Sequence, residues 1–150
     1  DQVLIMEANI DNMNPEFYDY LMERLFAGGA LDVAFAPLQM KKNRPGIMLT
    51  VICRPEHKDG LAAIIFQEST TSGIRYYQAE RIKLPRQVKK IRTPYGRLEV
   101  KILTCPDGSN SAAPEYEQCK LIAQKHRIPL KQVYLEMTSL LNPRTIRGKR

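Results

Sequence analysis

The strongest constraint on this chain is a short cationic link between two apolar runs. Leu31–Leu38 and Ile47–Cys53 flank Met40-Lys41-Lys42-Asn43-Arg44-Pro45-Gly46, and Pro45-Gly46 is a turn signal. The two runs therefore predict a β-hairpin. A tip with three cations and one amide, Asn43, suits a polyanion such as the phosphates of a nucleotide. It equally suits a solvated loop whose charges blunt a sheet edge. The choice depends on which other segments the topology brings to the same end.

Val3–Asp11 reads as a strand, with Glu7, Asn9 and Asp11 on one face and Met6, Ala8 and Ile10 on the other. Two carboxylates and an amide on one face are a candidate hard-metal or hydroxyl-binding surface. The competing reading is a solvated outer sheet face. Asn14-Pro15-Glu16 is a helix start, with Asn14 as cap and Pro15 at the first helical position. Tyr18, Leu21, Met22, Leu25 and Phe26 recur at helical spacing as a core face, and Gly28-Gly29 ends the helix. Leu31, Val33 and Phe35 alternate as a second strand. Ile47–Cys53 has no polar face and predicts a central strand buried on both sides, with Cys53 an inert core thiol. Asp59-Gly60 precedes a second helix striped by Leu61, Ile64, Ile65 and Glu68, and Ile74–Leu84 is a fourth strand. The order strand, helix, strand, strand, helix, strand is the ferredoxin-like split βαβ pattern.

Leu84-Pro85-Arg86 marks a boundary. Beyond it, Val88–Thr93 and Arg97–Cys105 flank Thr93-Pro94-Tyr95-Gly96, and Leu98, Val100 and Ile102 alternate with charged residues. Asp107–Ala113 reads as a polar loop. A helix opened by Pro114 places Tyr116, Cys119, Ile122 and Ala123 on one face. A last helix after Pro129 turns Leu130, Val133, Tyr134, Met137, Leu140 and Leu141 inward. The expected fold is α+β: a ferredoxin-like βαββαβ sandwich over 1–85, then a small α/β subdomain over 86–141 made of a β-hairpin and two helices. Residues 142–150 form a basic tail expected to be disordered.

In this topology the first and second strands are parallel, because a crossover helix joins them. Four groups of residues then fall at one end of the sheet. They are Asn9, Asp11 and Asn12; the helix start at Asn14; the tip Lys41, Lys42, Asn43 and Arg44; and Thr70, Thr71 and Arg75. Cations, hydroxyls and a helix N-terminus could hold phosphates while Asp11, with Glu7, shares a divalent ion with them.

The formal net charge of +7 points to an anionic partner without naming its kind. There is no GxxxxGK[ST] loop and no GxGxxG, so neither standard nucleotide cradle is present. His57 and His126 stand alone and read as exposed or capping histidines. Cys53, Cys105 and Cys119 form no CxxC pair, which argues for a reducing compartment and against a zinc site. No apolar run approaches the ~20 residues of a bilayer span and no secretory leader is visible, so the expected location is cytoplasmic. The chain starts without Met and runs straight into a strand, as a piece of a longer protein would.

Five blocks carry a resemblance. They are Glu7–Glu16, Met40–Gly46, Thr70–Tyr77, Thr93–Gly96 and Pro114–Glu117. In this order they resemble the LarC family, nickel insertion proteins for the nickel-pincer nucleotide cofactor of lactate racemase. The resemblance runs from Val3 to about Leu141 and implies the C-terminal portion of such a protein. It implies a CTP-dependent enzyme, a lyase-class cyclometallase, that inserts nickel into pyridinium-3,5-bisthiocarboxylic acid mononucleotide. It also implies CTP bound with Mg or Mn, a missing N-terminal portion and a homo-oligomer. Where the family typically has Asp-Asp, this chain has Asp11-Asn12, which removes one carboxylate. Lys41, Lys42, Arg44 and Arg75 are the candidate phosphate ligands, beside Asn43, with Thr70 and Thr71 as hydroxyl donors. Asp11 and Glu7 are the candidate metal ligands. Tyr95, Lys101 and Tyr116 are candidate base or ribose contacts, against ordinary packing and surface charge. Two other classes fit the same residues: a ferredoxin-like nucleic-acid-binding module, and a regulatory or oligomerisation domain without chemistry.

Overall fold

Two strand–helix–strand units follow one another in the first half of the chain. The computed structural model describes residues 1–141 and divides into two compact units, the first spanning Asp1–Ile82 and the second beginning at Lys83. The basic tail of the sequence reading, 142–150, lies outside the described residues.

The first unit runs β1 (Gln2–Ile10), α1 (Phe17–Ala27), β2 (Ala30–Met40), β3 (Arg44–Cys53), α2 (Lys58–Glu68) and β4 (Arg75–Glu80). The sheet order is β2-β3-β1-β4, with every neighbouring pair antiparallel. This is the expected ferredoxin-like sandwich. Leu4, Met6, Ala8 and Ile10 of β1 and Leu49, Val51 and Cys53 of β3 point to one face, where Leu21 and Leu25 of α1 and Leu61 and Ile65 of α2 close the core. Period 2 in the strands and period 3.6 in the helices thus deliver their apolar residues to one layer.

Several local expectations change. β3 is buried on one side only: Met48, Thr50 and Ile52 of the opposite face are half-buried. The turn sits at Lys41–Asn43, not at Pro45-Gly46, which already belong to β3 and pair with Gln39 and Leu38. Pro45 is tolerated there because β1 pairs with β3 only as far as Ile47, so no second neighbour needs its missing N–H. α1 starts at Phe17; Asn14 forms a turn before it, its Oδ1 accepting the Glu16 N–H at 3.1 Å. Phe26, expected in the core, is 46% exposed. Asp59 and Gly60 lie inside α2, which follows a short turn at Pro55–His57. Gly29 is left-handed (φ +96°), and a Cβ there would meet the His57 ring at 2.6 Å. His57 Nδ1 lies 3.1 Å from the Gly29 carbonyl, so this histidine ties the two helix junctions together. β4 is shorter than expected; at its end Arg81 pairs with Asp1 at 2.9 Å.

The second unit runs β5 (Arg86–Thr93), β6 (Gly96–Thr104), β7 (Asn110–Ala113), α3 (Tyr116–His126) and α4 (Leu130–Leu140). The expected hairpin is β5–β6. A third strand, β7, pairs with β6 where the sequence reading has a loop. Val100 and Ile102 pack with Leu141, while Cys119, Ile122 and Ala123 of α3 meet Val133 and Met137 of α4. Tyr116 and Tyr134 sit at the exposed margins of those helix faces.

Leu25→Ala and Leu61→Ala each remove a fully buried side chain and should cost about 2–5 kcal/mol in denaturant melts. Phe26→Ala should cost clearly less. Burial pushes the Cys53 and Cys119 thiols up, with Glu56 adding to the effect at Cys53, while Cys105 is half-buried. A thiol reagent should therefore label Cys105 in the folded protein and reach Cys53 and Cys119 only after unfolding.

Candidate functional site: the cationic rim of the first unit

The β2–β3 tip is built by backbone conformation. Lys42 (φ 60°, ψ 26°) and Asn43 (φ 56°) are both left-handed, which suits Asn but is unusual for Lys. Gln39 Nε2 donates to Asn43 Oδ1 at 2.9 Å and braces the turn. Behind it, Gly46 permits a close approach: a Cβ there would stand 2.9 Å from the Ile10 carbonyl. The tip is thereby drawn against the end of β1. Arg44 NH1 reaches Asp11 Oδ2 at 3.3 Å. Lys41 and Lys42 are exposed and make no ion pair or side-chain hydrogen bond among the described residues.

The loop after α2 reaches the same end. Ser69 Oγ donates to the Ile65 carbonyl at 2.6 Å, and the Thr71 N–H donates to Ser69 Oγ at 3.3 Å. Thr70 Oγ1 donates to Asn12 Oδ1 at 2.6 Å. Thr71 Oγ1 turns inward on its own loop and donates to the Gly73 carbonyl at 3.0 Å. Where the family resemblance predicts a second carboxylate, Asn12 thus anchors Thr70.

Glu7 and Arg75 stand opposite each other in the β1–β4 register. Arg75 Nε donates to Glu7 Oε2 at 2.8 Å and its NH2 group to Asn9 Oδ1 at 3.2 Å. Tyr77 OH donates to Glu7 Oε1 at 3.3 Å. Both Glu7 oxygens are therefore engaged. Sequence reasoning singled out Arg75 and Glu7 separately but missed their pairing, and missed Tyr77; strand register is the signal that unites them.

The rim segments meet pairwise along the end of β1. Asp11 joins the tip, Asn12 joins the α2–β4 loop, and Glu7 with Asn9 joins β4. Among the described residues no three of His, Cys, Asp and Glu cluster as metal ligands. The donor set present, one Asp11 carboxylate beside cations, suits an octahedral ion that keeps waters and takes its remaining ligands from phosphate oxygens. Glu7 is instead committed to Arg75 and Tyr77.

Tyr95, Lys101 and Tyr116 belong to the second unit. Tyr95 OH donates to Glu136, whose other oxygen accepts from Gln132 Nε2 at 3.0 Å. The hydrogen bond from Tyr95 holds the Glu136 carboxyl below its usual range, and the same bond raises the Tyr95 hydroxyl. The Tyr95 ring also stacks obliquely on His126 at 5.2 Å. Lys101 pairs with Glu115, and Tyr116 is 57% exposed.

Fold and rim together define a class: an α+β protein whose ferredoxin-like unit gathers cations, a hydroxyl and a carboxylate at one sheet end. The family model described as nickel insertion protein matches residues 1–134, and the chain belongs to that family. It is 46% identical over 136 residues to a putative nickel insertion protein of Syntrophobacter fumaroxidans, covering 91% of this chain and 35% of the relative. It is 42% identical over 131 residues to the pyridinium-3,5-bisthiocarboxylic acid mononucleotide nickel insertion protein of Thermotoga petrophila, covering 87% and 33%. The chain thus spans about a third of the length of these curated relatives. Among solved structures it resembles LarC2, the C-terminal domain of a cyclometallase involved in synthesis of the NPN cofactor of lactate racemase, in its apo form. That match has a TM-score of 0.81 and 42% identity over 91% of this chain and 94% of LarC2. A protein of Methanopyrus kandleri shares the fold at a TM-score of 0.64 and 22% identity, covering 94% of this chain and 89% of the other.

The left-handed tip sets a test of its own. Lys42→Gly should leave the unfolding midpoint unchanged or raised, whereas Lys42→Val should lower stability by about 1–2 kcal/mol.

Proposed function

We propose that this chain is the CTP-binding portion of a CTP-dependent nickel insertase, a lyase-class cyclometallase. The full protein would insert nickel into pyridinium-3,5-bisthiocarboxylic acid mononucleotide to form the nickel-pincer nucleotide cofactor. Nickel is then a substrate metal. Family membership and the likeness to LarC2 support this reading. The observation that carries it is the rim, where Asp11 and Arg44 meet beside the free amines of Lys41 and Lys42.

Each rim group has a role. Lys41, Lys42, Arg44 and Arg75 bind the triphosphate as charge-assisted donors. Asn43 shapes the tip, and Thr70 and Thr71 would offer hydroxyls on leaving Asn12 and the Gly73 carbonyl. Asp11 supplies a carboxylate to Mg or Mn, which takes its other oxygens from phosphate and water. Glu7, the second carboxylate of the expected pair, holds Arg75 in place. Tyr95, Lys101 and Tyr116 remain proposed base or ribose contacts, for which Tyr95 would leave Glu136 and Lys101 would leave Glu115. The missing N-terminal portion, a homo-oligomeric state and a cytoplasmic location belong to the same proposal. No helix among the described residues is long and apolar enough to cross a membrane.

One observation favours a second reading, nucleic-acid binding. Arg86, Lys90, Arg92, Arg97 and Lys101 share one face of the β5–β6 ribbon. Lys90 pairs with Glu99 and Lys101 with Glu115, while Arg86, Arg92 and Arg97 form no ion pair among the described residues. Against it, the open faces of β1 and β3 carry Ile5, Glu7, Asn9, Met48, Thr50 and Ile52, with no aromatic for stacking bases.

Calorimetry with Mg·CTP separates the two. Lys42→Ala and Arg44→Ala should each weaken binding about tenfold or more, as expected for a charge-assisted contact. Unchanged affinity in both removes the phosphate role. Steeply salt-dependent RNA or DNA binding without preference for CTP establishes the second reading instead.

A further inference from the structure

The first unit holds a second concavity, on the far side of Glu7 from the rim. It opens beside the edge strand β4, where Tyr76, Tyr77 and Gln78 pair with Met6, Ile5 and Leu4. Its volume is about 350 Å³, and Leu4, Pro55, Lys58, Tyr76, Tyr77 and Gln78 line it. Ligand pockets of roughly 300–1,000 Å³ are the usual range, so this one suits a single substituted ring and little more.

The lining is chemically specific. Leu4 is buried and gives an apolar floor. Tyr76 and Tyr77 are 56% and 48% exposed, an uncommon pair of open aromatic surfaces on one short strand. The Lys58 ammonium stands 4.9 Å from the centre of the Tyr76 ring and 3.3 Å from Asp59 Oδ1. The Tyr76 face thus already accepts one cation, the Lys58 ammonium, which a stacking ring would shift to its own margin. Gln78 adds an amide that can both donate and accept.

That combination calls for a flat ring with two kinds of charge. A tyrosine face attracts a cationic ring through its quadrupole. A lysine and an amide at the ring's margin attract anionic substituents. A pyridinium ring bearing two thiocarboxylates has both properties, and its ribose phosphate would project from the mouth. We propose that this pocket takes the pyridinium dithiocarboxylate ring of the mononucleotide substrate, stacked on Tyr76 with Lys58 on a thiocarboxylate. The inference rests on the reading that the protein acts on that mononucleotide. It adds that the first unit carries two separate ligand sites, a phosphate rim and a ring pocket.

The test is calorimetry on the whole chain with N-methylpyridinium-3,5-dicarboxylate as probe and Mg·CTP as the second ligand. Tyr76→Ala and Lys58→Ala, both at accessible positions, should each weaken probe binding about tenfold, while Tyr76→Phe keeps it. Neither should alter Mg·CTP affinity. Benzene-1,3-dicarboxylate, which lacks the ring charge, should bind more weakly than the probe. Absence of probe binding, or unchanged probe affinity in both alanine variants, overturns the pocket. Tyr76-dependent probe binding without CTP binding keeps the pocket and removes the nucleotide rim. Bound Mg·CTP without probe binding does the reverse.

Discussion

The rest of the structure depends on β1 being hydrogen-bonded on both sides. It pairs with β3 along Leu4–Ile10 and with β4 along Gln2–Glu7. Its alternate residues supply the centre of the core, and its other residues supply Glu7 and Asn9. The register that buries Met6 and Ala8 also sets Glu7 against Arg75. A one-residue slip would put the Glu7 carboxylate and the Asn9 amide in the core and apolar side chains on the surface. Folding energetics and site geometry are therefore fixed by the same pairing.

The expectations that held were those with a strong period. Leu21, Leu25, Leu61 and Ile65 sit at helical spacing and are all fully buried. Leu98, Val100 and Ile102 alternate and face inward as read. Expectations fail where local signals compete. Pro45-Gly46 looks like the turn, yet Lys42 and Asn43 make it, because Asn tolerates left-handed geometry and Gly46 is used for a close approach instead. β7 has only four residues, two of them alanines, so it forms through pairing with β6 and not through its own pattern. Phe26, Tyr116 and Tyr134 belong to apolar stripes wider than the surface that covers them.

At the rim, the residue types were readable and their partners were not. Lys41 and Lys42 are exposed, as a cationic link predicts. That Asp11 would find Arg44, and Asn12 would find Thr70, depends on how far the tip and the α2–β4 loop extend. The concavity beside β4 left even less trace. Tyr76 and Tyr77 are neighbours in sequence and belong to opposite sides of a strand. Only at a sheet edge can both contribute to one cavity.

The contact between Asp11 and Arg44 has a consequence for the order of events. With a single carboxylate at the tip, a divalent ion would have to compete with the guanidinium for the same oxygen atoms. Under the proposed nucleotide reading, a metal–triphosphate complex would resolve the contest by exchange, the ion taking the aspartate and the released arginine turning to phosphate. In the free protein each of the two groups thus keeps the other's charge paired across the tip, at 3.3 Å.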